Sequence, residues 1–165
     1  MGITTFPSGA VAGKTEKRTT LTSGTSYTVP TGVTYLNIKT VGGGGGSGGA
    51  YTGNPTNGST GGTTTFTGAT SALGGAGGTG GGNSGSGNAG AAATANSKDG
   101  GRGAFAYFTN GAAGEGGCGQ MINSNLSATA GDTIAYAIGA GGAGGTGNVA
   151  GADGAAGYII VEYWS

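Results

Sequence analysis

At 165 residues, with 45 glycines, 35% apolar residues and six basic side chains balanced by six acidic ones, the chain has room for one domain and no net field to draw in nucleic acid. Glycine at that density points first to low complexity, but disorder goes with high net charge or very low hydrophobicity, and neither holds here. The absence of His removes the commonest general base and metal ligand, and the lone Cys118 cannot close a bridge within the chain.

The first twenty residues, "MGITTFPSGAVAGKTEKRTT", lack the apolar stretch of a signal peptide. No run anywhere approaches the roughly 18 apolar residues of a membrane span, so a protein made in a cytoplasm, with no membrane insertion, is expected. "SGAVAGKT", 8 to 15, nearly spells a phosphate-binding loop. It fails on context: Ser8 replaces the first glycine, no apolar strand leads in, and no helical period follows. Lys14, Lys17 and Arg18, half of all the basic residues, are opposed here only by Glu16. Residues 1–20 are therefore read as a docking arm and 21–165 as the folded domain.

Strand signals follow. In "YTVPTGVTYLNIKTV", Tyr27 to Val41, Pro30 and Gly32 mark a turn, after which Thr34, Leu36, Ile38 and Thr40 alternate with Val33, Tyr35, Asn37 and Lys39. "TTTFT", Thr63 to Thr67, is a weaker candidate, and "AFAYF", Ala104 to Phe108, a short aromatic one. "DTIAYAIG" places Ile134, Tyr136 and Ile138 on one face after a turn at Asp132, and "YIIVEYWS" ends the chain in β-branched and aromatic residues.

Between these strands lie three glycine tracts, Gly42 to Gly62, Gly74 to Gly90 and Gly139 to Gly157. In the last, every third position reads Gly139, Gly142, Gly145, Asn148, Gly151, Gly154 and Gly157; the middle tract repeats the register with Gly75, Gly78, Gly81, Ser84, Gly87 and Gly90. A flexible linker has no reason to keep a register. A three-residue period belongs to the polyproline II conformation, which has no internal hydrogen bonds, so strands of it must bond to one another across glycine contacts. Ordering glycine costs upwards of about 1 to 2 kcal/mol per residue, and such tracts should fold only when anchored at both ends. The flanking strands supply the anchors. Collagen is excluded by three prolines and the lack of a strict Gly-X-Y repeat.

The order of "TLTSGTSYTVPTGVTYLNIKTVGGGGGSGG", "LSATAGDTIAYAIGAGGAGGTG" and "GAAGYIIVEYW" resembles the glycine-rich domain of bacteriophage tail-fibre and adhesin proteins over about residues 20 to 164. The resemblance implies an all-β fold in which a small sheet or sandwich frames a bundle of polyglycine II helices, with no α-helix of note. It implies a virion structural protein, a tail-fibre or tip component that contacts the host surface, with a capsid decoration protein or head fibre as the alternative. Its implied partners are other virion proteins through the arm at Lys14, Lys17 and Arg18, a host surface protein or polysaccharide, and further copies of itself, a trimer foremost.

Catalysis and cofactor binding are not expected. Asp99, Glu115, Asp132, Asp153 and Glu162 stand apart from one another, and Cys118 has only Glu115 near it in sequence. An ice-binding face would need a long regular row of small residues, whereas the places between the glycines hold Asn148, Val149 and Asp153. Recognition is instead expected from loops. Tyr51, Asn54 and Asn57 in "YTGNPTNGST" come first, followed by Lys98 and Arg102 in "SKDGGRG".

Overall fold

The computed structural model describes residues 13–50, 54–82, 87–93 and 113–165. Among these there is no helix; the regular elements are seven strands. They are β1 (Glu16–Leu21), β2 (Ser26–Thr28), β3 (Tyr35–Val41), β4 (Thr65–Phe66), β5 (Met121–Ser127), β6 (Thr133–Ala137) and β7 (Tyr158–Trp164). All pairings are antiparallel, in one sheet of order β1-β7-β3-β5 and another of order β2-β6-β4.

The two sheets share one core. From the first sheet Leu36, Ile38, Ile159 and Val161 point inward, and from the second Tyr27, Phe66 and Tyr136, with Val29 and Val33 closing the turn between β2 and β3. The expected alternation in β3 holds, because Leu36, Ile38 and Thr40 are buried while Tyr35 is exposed and Asn37 and Lys39 are half-buried. The strand expected at 27–41 is interrupted at its predicted turn, where Gly32 takes φ of 79°. Gly131, at φ 88°, likewise serves the turn before β6, in which the Asp132 amide donates to the Thr129 carbonyl at 3.1 Å. The expected strand at 104–108 lies outside the described residues. Two strands escape the sequence reading, β1 and β5, and the boundary drawn at residue 20 falls inside β1.

Tyr136 and Tyr27 flank Phe66 at ring-centroid distances of 6.3 Å each. The Tyr136 hydroxyl donates to the Ser23 carbonyl at 2.7 Å. The Tyr27 hydroxyl is buried and has no hydrogen-bond partner among the described residues. Burial, with a smaller contribution from the neighbouring Tyr163 phenol, pushes its pKa up to about 12 from the usual 10. Because the folded pKa lies above the unfolded one, the contribution of this phenol to stability is constant below pH 10 and is lost progressively as pH rises from there to about 12. Tyr27→Phe is expected to raise stability at neutral pH by about 1 kcal/mol and to flatten this alkaline loss, as checked by urea titrations across the pH range.

Each glycine tract proves to be a folded pair of antiparallel segments rather than a single run. Segment 42–50 returns as 54–62, segment 74–82 as 87–93, and segment 139–147 as 149–157. Segment 42–50 sits at the centre. Its amides donate in rotation to three neighbours: Gly43, Gly46 and Gly49 to Gly62, Ser59 and Thr56; Gly44, Ser47 and Ala50 to Ala155, Ala152 and Val149; and Gly45 and Gly48 to Gly117 and Gly114. Its carbonyls accept in the same rotation, Gly43, Gly46 and Gly49 from Gly75, Gly78 and Gly81, and Gly44 and Ser47 from Gly142 and Gly145. Bonding that returns to the same neighbour every third residue is the polyglycine II pattern. Five described segments thus surround the central one, and every residue from 42 to 50 is buried.

Close packing of backbones explains where glycine is compulsory. A Cβ built on Gly43 or Gly46 would lie 2.1 Å from the carbonyl oxygen of Ala140 or Ala143. Segments packed on several sides read Gly-Gly-x, as in 74–82 and 139–147, whereas the segment 149–157 needs only Gly151, Gly154 and Gly157. The triplet register is therefore a packing code.

Candidate interface at the tip of the glycine bundle

The segments start at the sheets, from the ends of β3 and β6 and toward the starts of β5 and β7, and carry the chain away from them. At about 3.1 Å per residue, 42–50 spans about 25 Å. Its far end brings together residues 54–57, 79–82, 87–88 and 146–150. The ends are pinned by backbone: the Ala50 amide donates to the Val149 carbonyl at 2.9 Å, and the Val149 amide returns the bond at 3.2 Å.

Side chains then tie the rim. The Thr56 and Thr146 hydroxyls meet at 3.0 Å, and the Thr146 amide donates to Thr56 Oγ1 at 2.7 Å. The Thr79 amide donates to the Asn88 carbonyl at 2.9 Å, and the Thr79 hydroxyl points to the same oxygen at 3.2 Å. The Gly80 amide donates to Asn57 Oδ1 at 3.0 Å, so part of Asn57 holds the neighbouring segment in place. Asn54 is exposed. No described residue of this rim is ionisable, so what it offers is a fixed set of hydroxyl and amide groups with low entropy cost on binding.

Of the expected recognition residues, Asn54 and Asn57 are placed together at the tip, while Tyr51, Lys98 and Arg102 lie outside the described residues. Lys14, Lys17 and Arg18 stand at the opposite end. Lys17 and Arg18 pair with Tyr163 and Glu162 toward the far edge of the sheet, and Arg18 Nε lies 3.7 Å from Glu162. Adding the sheet, at about 3.3 Å per residue, to the bundle separates the two groups by roughly 40 Å. Thr56, Thr79, Asn88 and Thr146 were not singled out from sequence. A signal for Thr79 and Thr146 existed, since both fill the outward third place of a Gly-Gly-x triplet.

Elsewhere, an open cleft of about 480 Å³ is lined by Thr67, Gly68, Leu126 to Ala128 and Asp132 to Ala135, with Asp132 its one ionisable side chain. Among the described residues no group of three or more His, Cys, Asp or Glu side chains could hold a metal, and no helix is long and apolar enough to cross a membrane. Comparison with models of known protein families and with curated proteins finds no match to the chain.

Proposed function

We propose that the chain is a structural protein of a bacteriophage particle, a tail-fibre or tip component that meets the host surface through the far end of its glycine bundle. The observation that carries this reading is the separation of roles along one rigid axis. Neutral hydrogen-bonding loops crowd the tip, and the basic residues of β1 and its approach gather at the other end. A bundle bonded strand to strand over about 25 Å does not bend under load as a linker would, which suits a part that must present loops away from an anchor. Assembly as a trimer, with anchoring through the N-terminal residues, belongs to the same proposal.

The test is adsorption. Particles carrying Tyr51→Ala, Asn54→Ala and Asn57→Asp together, the last keeping the oxygen that binds the Gly80 amide, are expected to assemble in normal number and adsorb to host cells at least tenfold more slowly. Adsorption at the parental rate would instead favour a capsid decoration protein or head fibre.

A further inference from the structure

We infer that the outer face of the four-stranded sheet, at the end away from the bundle, binds a neutral saccharide between Tyr35 and Trp164. The described residues expose three large hydrophobic side chains, Tyr35, Leu73 and Trp164, and two of them lie at this end of the neighbouring strands β3 and β7. Asn37 pairs with Glu162 across β3 and β7. Strand alternation puts Tyr35, two residues before Asn37, and Trp164, two residues after Glu162, on that same face. Pairing between β3 and β7 ends at Asn37 and Glu162, so the two rings flank the point where these strands part.

The next row of the face is polar and already ordered. Asn37 Nδ2 donates to Asn125 Oδ1 at 2.8 Å, Lys39 Nζ lies 3.2 Å from Glu162, and Arg18 lies on its other side. Glu16 is paired with Trp164 across β1 and β7, so the strands of this face hold Glu16 and Glu162 against Arg18 and Lys39, with Lys14 just before β1. Glu162 engages both Arg18 and Lys39, which weakens the pull of these two cations on an anionic polymer.

The apolar part of this face is small. Each ring is 46% exposed, which for side chains of this size is about 100 Å² apiece. A stable protein interface takes about 800 Å² from each partner. Two aromatic faces beside fixed amides and a carboxylate match a sugar ring, whose C–H face stacks on the aromatics while its hydroxyls bond to the amides. The site lies at the end that the proposed function assigns to anchoring and away from the tip, so loss of sugar binding and loss of tip-dependent adsorption are distinguishable.

Trp164 is the only tryptophan, so its fluorescence reports this place. Titration of the intact protein with maltohexaose, cellohexaose, chitohexaose and mannohexaose is expected to shift that emission saturably for at least one of them, insensitively to salt. Tyr35→Ala should weaken the response tenfold or more, and Leu73→Ala should leave it unchanged. If Tyr35→Ala impairs folding, Asn125→Ala serves in its place, with a several-fold loss expected. The inference is overturned if none of the four sugars shifts the emission, if the shift survives the Tyr35 or Asn125 change, or if only polygalacturonate binds and salt abolishes it.

Discussion

Gly46→Ala is expected to destabilise the protein by at least about 4 kcal/mol, a loss usually reserved for a large cavity or a buried charge, although it adds a single methyl group. The new Cβ would stand 2.1 Å from the Ala143 carbonyl oxygen and 2.7 Å from that of Gly142. Alanine has no rotamer by which to escape. Relief requires the backbones to part, and the Gly46 amide donates to Ser59 while its carbonyl accepts from Gly78, so separation on one side breaks bonds on the others. Gly142→Val and Gly145→Val belong to the same class, with built Cβ atoms 2.0 and 2.1 Å from the carbonyls of Ser59 and Thr56. Gly82→Ala is the contrast. Nothing lies within 4 Å of its Cβ, so the substitution should be neutral or stabilise by up to about 1 kcal/mol through the unfolded chain. Thermal melting of the four variants measures the difference, and similar melting temperatures for Gly46→Ala and Gly82→Ala would remove the packing account of the bundle.

That contrast also marks what could be read from the sequence. The register of Gly139, Gly142 and Gly145 was visible because glycine is obligatory wherever a Cβ would strike a neighbouring backbone, and that constraint repeats every three residues. The face of Ile134, Tyr136 and Ile138 followed from ordinary strand alternation. β1 and β5 were hidden for a physical reason. Both are edge strands, and "EKRTTL" carries charges of the kind that keep an edge from pairing with other chains, while "MINSNLS" exposes Asn123, Asn125 and Ser127. Neither has an apolar run to announce it. The folding of each tract back on itself was also hidden, since glycine repeats look alike in both directions and only tertiary hydrogen bonds assign one. At the tip, Asn54 and Asn57 were expected on an exposed loop, marked by the turn at Asn54 and Pro55. Their threonine neighbours were passed over because a threonine between glycines reads as filler until its hydroxyl is seen bonding across segments.

The junction between sheet and bundle supplies a second large effect. Thr64 is fully buried, exchanges two backbone bonds of 2.9 Å with Ala72, and uses its hydroxyl twice. That hydroxyl donates to the Val41 carbonyl at 2.7 Å and accepts from the Gly139 amide at 3.0 Å. It therefore clamps the places where β3 passes into the central segment 42–50 and where the chain after β6 enters 139–147. Valine has nearly the same shape and is more apolar, so a view based on burial alone expects Thr64→Val to be harmless or helpful. Hydrogen-bond satisfaction expects the reverse. The buried Gly139 amide would lose its acceptor and the Val41 carbonyl one donor, at a cost of roughly 2 to 3 kcal/mol. Thr64→Ser keeps the hydroxyl and removes one methyl, costing about 1 kcal/mol. The expected order in urea denaturation is wild type, then serine, then valine, and a valine variant as stable as the wild type would mean that the hydroxyl does not clamp the junction.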